Sequence, residues 1–185
     1  MTIPNILTLT RVALIPVVIL MLFVDDPTMR WWAYGLFVIL GVTDYFDGYL
    51  ARVLDQTSAL GALMDPIADK VLVAALIVAL VASGDIAGWD VAGAILILCR
   101  EFLVSGLREF LAQRNLPLPV TKLAKWKTTA QLVGLALLIL VPLAEPGQLV
   151  AISAIWWVAT ALTLITGFDY VRSAARQLKP NAGVE

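Results

Sequence analysis

The sequence predicts an all-α integral membrane protein with six transmembrane helices. Of its 185 residues, 61% are apolar and only 15% are charged, whereas soluble domains are about 45–50% apolar and about 25% charged. The mean hydropathy is +0.90, and long runs without charge recur along the chain. A soluble monomer of this length could not bury so many apolar side chains, so a bilayer must cover them.

Six runs contain no Asp, Glu, Lys or Arg: 12–24, 31–43, 71–84, 91–99, 128–144 and 146–168. A helix needs about 20 apolar residues to cross a bilayer, and only the last run clearly reaches that length. The other helices must therefore take charged residues into or near the membrane. We predict helices at 6–24, 31–52, 62–83, 89–112, 124–144 and 148–174, with Pro16 and Pro142 tolerated inside the first and fifth.

The cations are distributed unevenly between the two ends of these helices. The connections near 25–30, 84–90 and 145–147 contain one cation, Arg30, and the other 12 of the 13 Lys and Arg residues lie toward the opposite ends. Because positive charge marks cytoplasmic loops, both termini are predicted to be cytosolic. One domain is expected over 1–179, followed by a flexible tail over 180–185.

Charged residues interrupt each helix near its predicted cytosolic end. Asp44 lies eight residues before Arg52, which is about 12 Å deeper along a helix, and an Asp side chain is too short to reach the interface from there. Ionisable residues inside a membrane usually mark a functional site. The charges of the six helices are therefore expected to line one polar cavity that opens to the cytosol.

The residue types limit the chemistry of this cavity. The chain has no His and one Cys, which excludes His-based acid–base catalysis, Cys–His nucleophiles, zinc clusters and intrachain disulfides. A net charge of −1 gives no reason to expect a nucleic acid partner. Any catalysis must use Asp, Glu, Lys, Arg, Ser, Thr or Tyr.

Four carboxylates occupy one face on each of two consecutive helices. At about 100° per residue, Asp44 and Asp47 share a face of the second helix, and Asp65 and Asp69 share a face of the third. Four anions close together repel strongly at low dielectric, so bound cations are expected. Oxygen ligands favour Mg²⁺, Mn²⁺ or Ca²⁺, and two such ions typically assist displacement at phosphorus. A proton relay or a set of structural ion pairs is the alternative.

Small residues accompany these acids. Gly48 and Ala51 lie on the same face as Asp44, as does Arg52, and Gly61 lies on the face of Asp65. Small side chains leave space for a bulky group against the backbone, although they also serve close helix packing. Beside the acids, we favour a nucleotide site.

Residues 44–69 match the pattern D-x2-D-G-x2-A-R-x8-G-x3-D-x3-D, and the chain therefore resembles the CDP-alcohol phosphotransferases. Three further runs resemble the branch whose acceptor is glycerol-3-phosphate: I-P-N-I-L-T-L-T-R at 3–11, R-E-F-L-V-S-G-L-R-E at 100–109 and K-W-K-T-T-A-Q at 125–131. The resemblance implies the CDP-alcohol phosphotransferase fold and a homodimer in the bacterial inner membrane, with the active site facing the cytosol.

The resemblance also implies a reaction and a role for each motif residue. Glycerol-3-phosphate attacks CDP-diacylglycerol, giving phosphatidylglycerol phosphate and CMP. Two divalent ions, Mg²⁺ or Mn²⁺, are bound by Asp44, Asp47 and Asp65, while Asp69 is the base and a further ligand. The CDP site comprises Asp47, Gly48, Ala51, Arg52 and Gly61. Another acceptor (inositol phosphate, serine or phosphatidylglycerol) is the alternative within the family, and a cation-coupled transporter is the alternative outside it.

The acceptor's phosphate requires cationic ligands of its own. We predict Arg108, Lys125 and Lys127 for this site, with Arg11, Thr8, Ser105 and Lys122 as weaker candidates. Lys122 is also explained as a determinant of topology. Arg100 and Glu101 point about 100° apart on a helix, so they are expected to pair with other helices and not with each other.

Overall fold

The structure is a computed structural model that describes residues 3–53, 59–116, 118 and 121–178, without the side chains of 3–7, 44–53, 59–66 and 122. Within these ranges the chain forms six α-helices and no strand. The helices are α1 (Ile3–Leu22), α2 (Pro27–Val53), α3 (Ala59–Ala82), α4 (Asp90–Gln113), α5 (Lys122–Ile139) and α6 (Pro146–Leu178). The all-helical class is confirmed.

The second helix begins four residues earlier than predicted because Asp26 and Pro27 form a helix start. The backbone N–H of Thr28 donates a hydrogen bond of 2.7 Å to Asp26 Oδ1, as at an N-cap. Proline at the first helical position is already fixed in a helical φ and has no N–H to satisfy. Arg30 consequently lies in the first turn of α2 and not in a loop.

The fifth helix ends earlier than predicted, at Ile139, and the placement of Pro142 inside it is wrong. Proline has no N–H to donate, and its ring collides with the carbonyl group one turn back. Val141–Leu143 form a 3₁₀ turn instead. Pro16, by contrast, lies within α1 as predicted.

The chain divides into two compact units. The first comprises Met1–Ala87 with Leu132–Ile152, and the second comprises Gly88–Gln131 with Ser153–Glu185, so α5 and α6 each contribute to both. In the first unit, α1 contacts both α2 and α3. A single domain over 1–179 stays a prediction, and the tail predicted at 180–185 lies outside the described residues.

The amino-terminal end of α4 is fixed to α6 in the second unit by hydrogen bonds to Asp90. Its Oδ1 accepts from Ser153 Oγ at 2.9 Å and from Trp157 Nε1 at 2.8 Å, and its carbonyl oxygen accepts from Trp156 Nε1 at 3.1 Å. Gly93 permits this close approach, because a Cβ there would lie 2.9 Å from Trp156 Nε1. A buried cluster follows toward the other end of α4: Val104, Leu111, Leu118, Tyr170 and Ala174.

Large apolar side chains remain exposed along the helices. Leu20, Ile39, Val78, Ile95 and Val158 are each more than half exposed. In the described part of the chain, α6 is the one helix long and apolar enough to cross a membrane by length and composition. Such surfaces need an apolar environment, and together with this helix they indicate a membrane-associated protein.

Candidate active site

The carboxylate motif lies on α2 and α3, whose backbones are helical where the sequence predicts it. Positions 44 and 47 lie one turn apart in α2, and positions 65 and 69 lie one turn apart in α3. Seven motif side chains lie outside the described set: Asp44, Asp47, Gly48, Ala51, Arg52, Gly61 and Asp65. Asp69 is the one motif carboxylate whose surroundings the structure describes.

Asp69 faces the buried guanidinium of Arg11. Arg11 Nη1 donates to Asp69 Oδ1 at 3.2 Å and connects α1 to α3 within the first unit. The Arg11 side chain is 2% exposed, whereas that of Asp69 is 52% exposed. The arginine therefore holds one oxygen of a carboxylate that solvent or a substrate can still reach.

The donor set of the motif suits hard divalent cations, because carboxylate oxygens are the ligands that Mg²⁺ and Mn²⁺ prefer. The helical backbone also preserves the two one-turn spacings on which the prediction depends. Among the described side chains, no group of three or more His, Cys, Asp or Glu could hold a metal ion, and Asp69 alone represents the motif there. The fit therefore rests on donor chemistry and helical spacing.

A second charged group, which we name the α4–α6 charge cluster, consists of Arg100, Glu101, Lys127 and Thr166 in the second unit. Glu101 Oε1 accepts from Lys127 Nζ at 2.6 Å and from Arg100 Nη1 at 3.0 Å. Arg100 Nη2 donates to Thr166 Oγ1 at 3.2 Å. One carboxylate thus connects α4 to α5, and the arginine beside it connects α4 to α6.

The α4–α6 charge cluster is almost inaccessible to solvent. The side chains of Arg100 and Lys127 are 8% and 7% exposed, and that of Glu101 is 18% exposed. The ring of Tyr170 lies 5.7 Å from the Arg100 guanidinium carbon. A Cβ at Gly167 would lie 2.7 Å from Arg100 Cγ, so the glycine makes room for the arginine side chain along α6.

The expectation that Arg100 and Glu101 do not pair with each other is wrong. Their Cα–Cβ bonds do diverge on the helix, but the long arginine side chain carries its guanidinium round to the glutamate. The expectation of partners on other helices is correct, since Lys127 lies on α5 and Thr166 on α6.

Comparison with known proteins identifies the family. The sequence profile of the CDP-alcohol phosphatidyltransferases matches residues 1–167. The chain belongs to the CDP-alcohol phosphatidyltransferase family. The resemblance inferred from the aspartate motif is therefore confirmed.

Relatives of similar length carry one shared name, CDP-diacylglycerol–glycerol-3-phosphate 3-phosphatidyltransferase. The protein from Rickettsia bellii is 41% identical over 94% of this chain and 95% of its own length. That from Cereibacter sphaeroides is 40% identical over 96% and 97%. That from Escherichia coli K12 is 38% identical over 95% and 96%.

The residues predicted to bind the acceptor of this family fall into different environments. Lys127 is buried beside Glu101, whereas Arg108 and Lys125 are exposed, Ser105 is half-buried, and the Lys122 side chain lies outside the described set. Thr8 and Arg11 are buried in the first unit. The structure therefore separates the seven candidates, although it does not test whether any of them binds phosphate.

Sequence reasoning missed two contacts in this phosphatidyltransferase. Arg11 was considered only as a phosphate ligand, although it is the single charge in a largely apolar helix, α1, and a buried charge needs a partner. The partner in the structure is Asp69. Thr166 was not singled out at all, because a threonine in an apolar helix commonly bonds its own backbone, as it also does here to Leu162 O.

Proposed function

We propose that this protein transfers the phosphatidyl group of CDP-diacylglycerol to glycerol-3-phosphate, giving phosphatidylglycerol phosphate and CMP. The observation that carries this proposal is the similarity, over nearly the whole chain, to relatives that bear the name of this reaction. The aspartate motif on α2 and α3 supplies the oxygen ligands and the base that such a transfer requires.

In this proposal the motif carboxylates hold two divalent ions, Mg²⁺ or Mn²⁺. Asp44, Asp47 and Asp65 are the ligands, and Asp69 is both a ligand and the base. When bound, the ions neutralise the pyrophosphate and the charge that develops on departing CMP. Asp47, Gly48, Ala51, Arg52 and Gly61 form the CDP site, where the small residues leave room for the nucleotide.

Asp69 accepts the proton of the acceptor hydroxyl as the new bond forms. The hydroxyl oxygen bonds to the phosphorus that carries the diacylglycerol, and the bond from that phosphorus to the bridging oxygen breaks to release CMP. Asp69 suits this role because its side chain is half exposed while Arg11 holds one of its oxygens. A positioned base needs both access to the proton and a fixed orientation.

The acceptor's phosphate is bound by cations of α4 and α5. The first ligands proposed for this phosphate are Arg108, Lys125 and Lys127. The weaker candidates are Ser105, Lys122, Thr8 and Arg11. Arg11 ranks low because its guanidinium contacts Asp69 and is 2% exposed.

The membrane arrangement belongs to the same proposal. Six helices span the inner membrane of a bacterial cell as a homodimer, with both termini and the active site on the cytosolic side. The exposed Trp31, Trp32 and Trp89 support placing these helix ends at a membrane interface, because tryptophan is enriched there, while the uneven distribution of cations supports the orientation. The acyl chains then stay in the bilayer while the headgroup reacts.

The direct test supplies purified protein with CDP-diacylglycerol, Mg²⁺ and one alcohol at a time, and measures CMP release. Glycerol-3-phosphate should give turnover, while glycerol, serine, inositol phosphate and phosphatidylglycerol should give little. Faster turnover with another alcohol would assign the chain to a different acceptor within the family.

Metal removal tests the ion-binding part of the proposal. EDTA should abolish CMP release, and excess Mg²⁺ or Mn²⁺ should restore it, because the carboxylates cannot neutralise a pyrophosphate without cations. A Zn²⁺ arm serves as the control for ligand type, since an all-oxygen site disfavours it. Full activity in EDTA would contradict the two-ion assignment.

A further inference from the structure

The α4–α6 charge cluster carries more positive than negative charge. Arg100 and Lys127 contribute two cations, and Glu101 is the one carboxylate that contacts them in the described part of the chain. Burying an uncompensated charge is costly. The Tyr170 ring and the Thr166 hydroxyl contact Arg100, but neither carries negative charge.

The same region has more hydrogen-bond donors than acceptors. Within the described residues, the buried Arg100 Nε and the buried Gln131 Nε2 have no acceptor. Gln131 lies one turn after Lys127 on α5, so the two share a helix face. Among the described residues, this region therefore has more donors and more positive charge than acceptors and negative charge. A phosphate monoester bound beside Lys127 would supply negative charge and acceptor oxygens there.

The helix geometry divides the predicted phosphate ligands into two sets. Lys125 and Lys127 lie about 200° apart on α5, and the structure accordingly exposes the first and buries the second against Glu101. On α4, Glu101, Ser105 and Arg108 recur at spacings of four and three, so they follow one face toward the end of the helix. Lys127 therefore belongs with this face of α4, and Lys125 does not.

We propose that Glu101 is a positioning residue that holds the Lys127 ammonium on the α4 side of α5, so that Lys127, Ser105 and Arg108 form one anion site for the acceptor's phosphate. Arg100 and Thr166 fix Glu101 from the other side by tying it to α6. This inference rests on the proposed function and adds to it three residues with no direct contact to substrate: Glu101, Arg100 and Thr166.

A purely structural role explains the cluster less well. Buried ion pairs are weak evidence for stability, because hydrophobic residues of the same size often serve as well. A structural pair would also be expected to balance its charges, whereas this cluster has an excess cation among the side chains that the structure describes.

The test compares Glu101→Gln with Glu109→Gln, an exposed glutamate on the same helix. For Glu101→Gln, the KM for glycerol-3-phosphate should rise by about 10- to 100-fold, as when a charged hydrogen bond is lost. The KM for CDP-diacylglycerol should stay unchanged, and Glu101→Asp should recover part of the loss. Glu109→Gln should match the unmodified protein.

Binding without turnover gives a second measurement. Glycerol-3-phosphate should raise the thermal unfolding temperature of the protein in the absence of CDP-diacylglycerol, whereas glycerol should not. This shift should shrink in Glu101→Gln and persist in Glu109→Gln. Equal shifts in both variants would overturn the proposal.

If the Glu101→Gln protein does not fold, Thr166→Val provides a second variant that tests the same proposal. It removes the hydroxyl that holds Arg100, while Thr163→Val is the control, since that buried hydroxyl bonds only to Ala159 O among the described contacts. The KM for glycerol-3-phosphate should rise in Thr166→Val alone. Parallel rises in both substrates' KM values, or no change, would indicate a structural role. No turnover in the unmodified protein would instead reject the proposed function.

Discussion

The two charged regions of this protein are opposite in sign and differ in how the chain builds them. The carboxylate motif places four aspartates within the 26 residues from Asp44 to Asp69, on two consecutive helices. The α4–α6 charge cluster joins residues that are 26 and 66 positions apart. The first is local in sequence, and the second exists only after three helices have packed.

This difference corresponds to the two halves of the proposed reaction. In the proposed reaction, the four carboxylates of the motif outnumber its cations and would hold metal ions that attract the pyrophosphate of the donor lipid. The α4–α6 charge cluster is net positive among the described residues, and we propose that the phosphate of the acceptor is the anion that it binds. A substitution in one of the two regions should therefore change the kinetic constants for one substrate more than those for the other.

Of the substitutions considered, removal of the proposed base should have the largest effect on the rate of reaction. Asp69→Asn should lower kcat by about 10²- to 10⁴-fold, the usual contribution of a positioned base. The amide oxygen can still accept from Arg11, so the local structure should persist. The KM for glycerol-3-phosphate should change little, because the cations first proposed to bind its phosphate lie on α4 and α5, whereas Asp69 lies on α3.

The matched control is Asp169→Asn, an exposed aspartate on α6. Initial rates of CMP release should be normal in this variant. Direct Mn²⁺ binding to the Asp69→Asn protein should remain measurable. Near-normal turnover in Asp69→Asn would remove Asp69 as the base.

The sequence predicted the carboxylate motif more completely than the charge cluster. The helical period alone places Asp44 and Asp47 on one face of α2, and Asp65 and Asp69 on one face of α3. The fixed spacing of these aspartates identified the family, which the profile match confirms. Whether the four carboxylates converge on metal ions stays a prediction, since three of the side chains lie outside the described set.

The charge cluster was harder to predict because its contacts depend on side-chain reach and helix packing. A helical wheel gives the direction of a Cβ atom and not the position of a guanidinium, which is why the Arg100–Glu101 pair was missed. Helix ends were missed for local reasons instead. A helix start signal is present at Asp26 and Pro27, and a stop signal is present at Pro142. These signals predict the observed start of α2 and the observed end of α5.

Exposed cations should contribute less than buried ones to acceptor binding. Arg108→Ala should raise the KM for glycerol-3-phosphate by about two- to fivefold, as expected for an exposed ion pair. Lys125→Ala should raise it less, because Lys125 lies away from the face of α5 that meets α4. The effect should weaken at high salt, because solvent-exposed charges are screened. Steady-state kinetics at two salt concentrations, with CDP-diacylglycerol as the second varied substrate, measure both effects.

Arg176→Ala is the control for these two variants, since Arg176 is an exposed cation in the last turn of α6. It should leave both KM values unchanged. If Arg108→Ala or Lys125→Ala raises both KM values equally, the altered cation does not belong to a site for the acceptor's phosphate.

The smallest effect on catalysis is expected from the ion pair at the opposite, predicted outward end. Arg30 Nη1 donates to Asp85 Oδ2 at 2.5 Å, and Ser83 Oγ donates to the same oxygen at 2.6 Å, within the first unit. This pair is balanced in charge and lies in loops and helix ends that carry few other cations.

Arg30→Met should lower the free energy of unfolding by up to about 3–5 kcal/mol, the cost of leaving one buried charge without its partner. The double variant Arg30→Met/Asp85→Asn should recover much of that stability, and both KM values should stay constant in the folded protein. A selective rise in one KM would show that a balanced structural pair can imitate a substrate site, and it would weaken the inference drawn from the excess charge around Glu101.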